Sequence, residues 1–312
     1  VRVGSEVRRS TPGPMELVLA LDVTRSMNDA PTGSKESKIT SLRRAAKALV
    51  NKVMQSPGGA ASIAIVPYSA YMNVGTSNPS PPWVTVPPTR TVKTCKTWAP
   101  LPPNCKTVWF DCYVDGVWKV RGCSRADPPG CTNRPCLETT TRTDVWRGCI
   151  GARTDGIPTK TTSGTDKWLD SIGSPTSPRY PGFYNEDIGG CTAEILDLTR
   201  NQKTLDTTID GLKVFGDTHI PSGLLWAWHV LDPREPYTAS KPLPDLELLG
   251  GRKVVVLMTD GINWQVPRFR DGAYLNPDHS EVRVGWKDGQ ELDKLTRRLC
   301  ENLDKAGILV YT

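Results

Sequence analysis

One turn of this chain offers oxygen donors at a spacing suited to chemistry. Asp22, Thr24 and Ser26 stand at alternating positions directly after an apolar run, residues 17–21. Together they present one carboxylate and two hydroxyl groups, and hard cations such as Mg²⁺ prefer oxygen ligands of this kind. Many strands end in polar turns, so the elements that would position these side chains must be considered next.

The apolar run before Asp22 has no polar alternation, which is typical of a strand buried on both faces of a parallel sheet. A second run, residues 253–258, also leads to an acid, Asp260. Between them, Thr218 lies in a polar loop that precedes an amphipathic helix. Open α/β folds bind ligands at the carboxyl ends of their strands. We therefore expect these three segments to meet at one edge of a sheet.

The combined set resembles the metal-ion-dependent adhesion site of von Willebrand factor A domains, which has the pattern Asp-x-Ser-x-Ser, a distant Thr and a distant Asp. The matching residues are Asp22, Thr24, Ser26, Thr218 and Asp260. Thr24 stands where the family usually has Ser, which keeps the hydroxyl group. The resemblance implies Mg²⁺ or Mn²⁺ held directly by the three hydroxyls, with both carboxylates close, often through water. It also implies a protein partner whose Glu or Asp fills the open coordination position.

The order of predicted elements fits the same family. The fold class expected is α/β, a doubly wound, mostly parallel, Rossmann-like sheet of the von Willebrand A type, with a Cys-rich, disulfide-stapled insertion. Besides the two core strands, hydrophobic spacing predicts helix 38–55, strand 62–69, short strand 71–75, helix 199–214, helix 221–231, a helix from Leu292 to Ala306 and strand 308–311.

Composition divides the chain into four parts. Residues 1–14 read as a linker, 15–77 as the first half of the A domain, 78–190 as an insertion rich in Cys, Trp and Pro, and 191–312 as the second half. The second half is expected to lack the final elements of the domain. In the family topology the strand ending near Gly75 is antiparallel. The insertion should then emerge at the edge away from the metal, although its length would let it fold back.

A narrower resemblance involves several segments and covers about residues 15–312. Segments 65–75, 146–150, 198–201, 223–228 and 257–261 resemble TadG-type proteins of the bacterial tight-adherence pilus system. This resemblance implies a role in pilus assembly or surface adhesion, at the periplasmic or cell surface. It also implies a tether to the inner membrane upstream of this sequence.

Cysteine usage favours an oxidising compartment. Eight of the nine cysteines lie between positions 95 and 191, no Cys-x-x-Cys pair occurs, and the three histidines lie outside that segment. Zinc binding is therefore disfavoured and disulfides are favoured. Eight cysteines permit 105 pairings, which stay open. The disulfide candidates are Cys95, Cys105, Cys112, Cys123, Cys131, Cys136, Cys149 and Cys191.

Two local features stand out within the insertion. Asp115 and Gly116, flanked by β-prone stretches, predict a two-residue hairpin whose register sets Cys112 opposite Lys119. Six of the ten tryptophans also fall in the insertion. They could form a carbohydrate or peptide surface, but in a segment short of aliphatic residues they more often serve as the core.

Several function classes are disfavoured. The net charge of +6 is spread over the chain without a basic run, so no nucleic-acid partner is expected, and no stretch of about 20 apolar residues occurs. Haloacid-dehalogenase-type phosphatases need a second Asp where Thr24 stands, and the usual hydrolase motifs are absent from the sequence. We expect a non-enzymatic protein. The alternatives are a disulfide-stapled structural envelope subunit whose metal merely pins loops, and a metal-dependent hydrolase using His219.

Overall fold

The computed structural model describes residues 13–56, 60–101, 103–114, 117–127, 135–153, 179–261, 263 and 286–312. For residues 108–114, 117–127 and 286–291 the structure describes the backbone alone. The chain forms two compact units, Val1–Val86 with Arg147–Thr312, and Pro87–Trp146. The second unit is narrower than the 78–190 insertion delimited from composition, because residues on both sides of it pack with the first unit.

The first unit contains both strands and helices, whereas the described elements of the second unit are all strands. In chain order they are β1 (Met15–Asp22), a 3₁₀ helix (Arg25–Asn28), α1 (Lys38–Met54), β2 (Ala61–Tyr68), β3 (Met72–Asn73), β4 (Val84–Thr85), β5 (Arg90–Trp98), β6 (Lys106–Val114), β7 (Val117–Asp127), β8 (Cys136–Asp144), β9 (Cys149–Ile150), β10 (Tyr180–Pro181), α2 (Asn185–Ile188), β11 (Leu196–Thr199), α3 (Gln202–Asp210), α4 (Ile220–Leu231), α5 (Leu243–Leu248), β12 (Arg252–Met258), α6 (Trp286–Lys305) and β13 (Ile308–Tyr311).

A five-stranded sheet forms the centre of the first unit, with strand order β11-β2-β1-β12-β13. Only β11 is antiparallel to its neighbour; the other pairs are parallel. The protein is therefore a mixed α/β protein with a mostly parallel central sheet. In the register of β1, Asp22 faces Tyr68 of β2 and Leu21 faces Met258 of β12. The ends of three strands thus meet at one edge.

Helices cover both faces of this sheet. Leu17, Leu19 and Leu21 of β1 join one buried cluster with residues of α1 and α3. Val18 and Ala20 are also fully buried and point to the opposite face, because side chains alternate along a strand. α4 contacts β1, β2 and β12 and is buried along almost its whole length. The continuous apolar run of β1 thus reflects burial on both faces.

The resemblance implied that the strand near Gly75 is an antiparallel strand of the main sheet, and the structure contradicts this prediction. β3 is only two residues long and pairs with β9 in a separate small sheet. The antiparallel edge strand is β11, whose residues are all half-buried. An edge strand of this kind has no apolar run, so the sequence pattern did not reveal it.

The corrected topology changes where the insertion begins. β2 is parallel to β1 and ends at Tyr68, opposite Asp22. The chain that follows β2 therefore leaves the sheet at the edge that carries Asp22. The premise of the predicted emergence at the opposite edge, an antiparallel strand of the main sheet ending near Gly75, is therefore wrong.

The flanks of the insertion belong to the first unit. β4 pairs with β10, and the disulfide Cys149–Cys191 joins the β9 strand to the segment before β11. Trp83 is 7% exposed, and its ring centroid lies 6.0 Å from that of Trp226 in α4. Trp146 is also buried, whereas Trp98 is 48% exposed. Part of the tryptophan set therefore serves as core.

The described residues of the second unit form two antiparallel ribbons. β5 pairs with β8, and the disulfide Cys95–Cys136 links these two strands. Asp144, the last residue of β8, is buried and accepts hydrogen bonds from Arg90 and Arg142 at 2.9 and 2.7 Å. β6 pairs with β7, and Cys112 faces Lys119, which confirms the predicted register.

Two further points complete the fold. None of the helices within the described ranges is long and apolar enough to cross a membrane. The predicted C-terminal helix is present as α6, which begins at Trp286, six residues before the predicted start at Leu292.

Candidate functional site

Asp22 forms the floor of the candidate site. It is fully buried at the end of β1. Its Oδ1 accepts hydrogen bonds from the backbone N–H and the hydroxyl of Thr24 at 2.9 and 2.7 Å. Its Oδ2 accepts one from the Thr259 hydroxyl at 2.8 Å, and the Tyr68 hydroxyl lies 3.5 Å away. All these donors are neutral, so a buried carboxylate is held without an ion pair among the described residues.

Burial sets the acidity of this carboxyl group. Desolvation raises the pKa of Asp22, while the hydrogen bonds from Thr24 and Thr259 oppose that rise. Burial likewise raises the pKa of the neighbouring Tyr68 hydroxyl well above its usual value. The environment therefore disfavours negative charge here unless a cation compensates it.

Three hydroxyls form a chain above Asp22. Thr218 Oγ1 donates to Thr24 Oγ1 at 3.0 Å, and Thr24 Oγ1 lies 3.2 Å from Ser26 Oγ. Because the Thr24 hydroxyl donates to Asp22, the chain is continuous from the buried carboxylate to the half-buried Ser26. The structure thus brings together four of the five predicted site residues by direct hydrogen bonds.

Backbone contacts hold the Thr218 loop against the end of β1. Phe215 N–H donates to the Val23 carbonyl at 2.6 Å, and Arg25 N–H donates to the Gly216 carbonyl at 3.0 Å. Gly216 has φ of +70°, and a Cβ there would lie 3.1 Å from Ser69 Oγ. A glycine is therefore required for this close approach.

Asp260, the fifth predicted residue, forms an ion pair that sequence reasoning missed. Lys38 Nζ, from the first residue of α1, lies 2.8 Å from Asp260 Oδ2. This hydrogen bond raises the pKa of Lys38. The sequence did not indicate the pair, because a lysine at the start of an amphipathic helix carries no local signal of its partner.

Thr259 was also missed, although a signal for it existed. Leu21 pairs with Met258 in the parallel register, so the next residues, Asp22 and Thr259, leave the sheet side by side. A hydroxyl next to Asp260 at a strand end could therefore have been placed near Asp22 from the two strand ends alone.

An open cavity of about 360 Å³ lies over these groups. Hydroxyls, carboxylates and two cationic side chains share its wall. The lining residues are Thr24, Arg25, Ser26, Lys38, Gly216, Asp217, Thr218 and Asp260. Asp22 lies beneath this lining, so a small ion or a partner's side chain would meet the hydroxyls and Asp260 first.

The donor set fits a hard divalent cation. The described residues contain no cluster of three or more His, Cys, Asp or Glu side chains. The grouped donors are instead hydroxyl and carboxylate oxygens, which suit Mg²⁺ and Mn²⁺. The buried Asp22 carboxylate, whose direct hydrogen-bond donors among the described residues are all neutral, is the feature that favours added positive charge.

His219 has a local structural role. It precedes α4, and its Nδ1 accepts a hydrogen bond from the Ser222 backbone N–H at 3.2 Å and lies 2.7 Å from the Ser222 hydroxyl. Burial lowers the pKa of His219 to about 3. This neutral imidazole caps a helix.

Comparison with known proteins gives little further information. No protein-family model matches the chain, and no curated protein matches it. A solved structure of an aerotolerance-related membrane protein from Bacteroides fragilis NCTC 9343 is similar at 9% identity over 96% of this chain and 91% of that chain. Its TM-score is 0.27, so no conclusion rests on this likeness.

Proposed function

We propose that this chain is a von Willebrand A-type domain that binds a divalent cation and recognises an acidic group of a protein partner. The observation that carries the proposal is the hydrogen-bonded series Asp22, Thr24, Ser26 and Thr218 beneath an open cavity. Thr24, Ser26 and Thr218 would hold Mg²⁺ or Mn²⁺ through hydroxyl oxygens, with Asp22 and Asp260 supplying negative charge. The bound ion would supply an electrophilic centre that attracts a carboxylate.

The chain's own residues account for the shape of the site. Backbone bonds to Val23 and Gly216 fix the two hydroxyl-bearing loops before any ligand arrives. A preformed site loses little conformational freedom on binding. The open face of the cavity leaves room for a side chain of another protein, which favours recognition over a purely internal ion.

The proposed setting is outside the cytoplasm. Disulfides Cys95–Cys136 and Cys149–Cys191 favour an oxidising compartment such as a periplasm or cell surface. A role in pilus assembly or surface adhesion, with a membrane tether upstream, follows only from the resemblance to TadG-type proteins. We propose no catalytic activity, because His219, the histidine that directly follows Thr218 in the sequence, serves as a helix cap.

A structural subunit is the second candidate function. It is favoured by the backbone bonds that already join the Gly216 loop to the end of β1. In that case an ion would only add rigidity, and partner binding would be the same with and without metal.

Titration calorimetry with Mg²⁺ and Mn²⁺ tests the metal site directly. Wild type should bind one ion, and Asp22→Asn should bind at least about tenfold more weakly, a loss of roughly 1.4 kcal/mol. Asp210→Asn is the matched control, because Asp210 is an exposed acid in an ion pair with Lys47. Equal affinity in wild type and Asp22→Asn would refute the site.

Partner recognition needs a separate measurement. Immobilised protein should capture a partner from envelope extract in Mg²⁺ but not in chelator. The Asp22→Asn variant should capture none in either condition. Identical capture by wild type in both conditions would favour the structural-subunit function instead.

A further inference from the structure

We infer that Lys38 is a tethered cation that holds Asp260 in the metal-free site and is displaced when a divalent cation binds. This inference rests on the proposed metal site and describes its regulation. The ion pair places an ammonium group 2.8 Å from one of the two carboxylates that the site offers. Lys38 and Asp260 both line the cavity, so the pair lies within the space that an incoming ion would enter.

The position of Lys38 is unfavourable for the helix that carries it. It is the first residue of α1, and the first turn of that helix contains no acidic side chain. A positive charge at a helix N-terminus is opposed by the helix dipole. The contact with Asp260 compensates for this placement, which links the start of α1 to the occupancy of the site.

Asp260 receives its only hydrogen bond among the described residues from Lys38. Asp22, by contrast, receives several from neutral groups. Without Lys38, Asp260 would face the cavity without the one ion pair that it forms among the described residues, beside the buried Asp22. Lys38 therefore acts as the counterion of the metal-free state.

A divalent cation and the Lys38 ammonium cannot share this carboxylate without repulsion. Two positive charges a few ångströms apart in a partly buried site repel each other strongly. The side chain of Lys38 is 31% exposed, and its flexible stem gives it a route to solvent. Displacement of Lys38 thus accompanies metal binding, and the competition weakens metal affinity.

Lys47 provides a matched internal control. It lies on the same helix, its Nζ is 2.9 Å from Asp210, and its side chain is 37% exposed. It therefore shares the residue type, the ion pair and the approximate exposure of Lys38. It differs in lying away from the cavity.

The first test uses wild-type protein. Limited acetylation by an amine-reactive ester, followed by peptide mass spectrometry, is carried out in chelator and in saturating Mg²⁺. Acetylation of Lys38 should increase at least about threefold with Mg²⁺, because the released ammonium becomes accessible, while that of Lys47 should stay constant. An unchanged or lower Lys38 reactivity in Mg²⁺ would overturn the displacement.

The second test measures affinity for Mn²⁺ in Lys38→Gln, Lys38→Arg and Lys47→Gln. Lys38→Gln should bind at least about tenfold more tightly than wild type, whereas the other two variants should bind like wild type. Unchanged or weaker binding by Lys38→Gln would overturn the inference. If that variant fails to fold, the acetylation result decides.

The outcomes separate this inference from the proposed function. Metal binding by wild type, with no change in Lys38 reactivity, rejects the displacement and leaves the metal site intact. Binding by Lys38→Gln but not by wild type supports Lys38 as the group that closes the site. Absence of binding in both, at millimolar Mg²⁺ and Mn²⁺, rejects both ideas.

Discussion

Thr218 Oγ1 donates a hydrogen bond to Thr24 Oγ1 at 3.0 Å, across 194 positions of sequence. This contact joins the loop before α4 to the turn after β1, and both hydroxyls are buried. It shows that the distant Thr and the first hydroxyl of the motif belong to one hydrogen-bonded group.

Removal of the Thr218 hydroxyl should weaken metal binding more than it weakens the fold. Thr218→Val is expected to reduce Mn²⁺ affinity at least about tenfold, while one lost neutral hydrogen bond lowers the free energy of unfolding by about 1 kcal/mol. Thr218→Ser keeps the hydroxyl and should stay close to wild type in calorimetry. Equal affinity of the Val and Ser variants would contradict a role for this hydroxyl.

The buried network at the other end of the sheet should dominate stability. Lys253 Nζ donates to the Ser240 hydroxyl at 2.7 Å and lies 3.5 Å from Glu16 Oε2, and both ion-pair side chains are less than a tenth exposed. Lys253→Met leaves Glu16 buried without its cation, so we expect a loss of about 3–5 kcal/mol in urea unfolding.

Two controls sharpen that prediction. Lys47→Met breaks an exposed pair with Asp210 and should cost at most about 1 kcal/mol. The double variant Glu16→Gln, Lys253→Met should be more stable than Lys253→Met alone, because no unpaired charge remains. Equal costs for Lys253→Met and Lys47→Met would show that the buried charge is hydrated or compensated elsewhere.

Stability should fall as the solution is acidified, in part because of His229. Burial lowers the pKa of His229 to about 3, with Arg153 adding to the shift, and its Nε2 lies 2.7 Å from the Tyr180 hydroxyl. The unfolded chain takes up a proton near pH 6.5, while the folded chain does not until about pH 3. Its stabilising contribution is therefore complete above pH 6.5 and is lost as the pH falls towards 3.

Denaturation at pH 7, 6 and 5 measures this contribution. His229→Gln should lower stability at pH 7 but give a shallower decline below pH 6.5, by up to about 1.4 kcal/mol per pH unit. Parallel curves for wild type and variant would mean that His229 is protonated in the folded state.

The cysteines should prove oxidised in the mature protein. Alkylation without reductant, followed by peptide mapping, should find the linked pairs Cys95–Cys136 and Cys149–Cys191 and label Cys300, which carries no disulfide. Labelling of most of the eight cysteines between 95 and 191 would contradict both the disulfides and the extracytoplasmic placement.

The sequence was most informative where local pattern and burial coincide. The run before Asp22 predicted β1, and helical spacing predicted α1 and α4 to within a residue or two. These elements are buried on one or both faces, so their apolar periodicity is strong. The oxygen donors at the ends of such strands could then be grouped by topology alone.

Other parts of the site depend on contacts that no local pattern encodes. The Lys38–Asp260 pair joins a helix start to a strand end far away in sequence. β11 is a half-buried edge strand of only four residues, too short for its alternation of apolar and polar residues to stand out. The strand near Gly75 pairs with β9 and not with the main sheet, and the sequence did not show this. The composition of a β-prone segment does not reveal which strand it pairs with.

β1 runs towards the candidate site, so its two ends lie at different distances from the cavity. Met15 begins this strand and Asp22 ends it, so they are separated by about 23 Å at roughly 3.3 Å per residue. The chain enters β1 at the end remote from the cavity and leaves β2 at the end beside it. The start of β1 and the cavity are therefore held apart by the length of one buried strand.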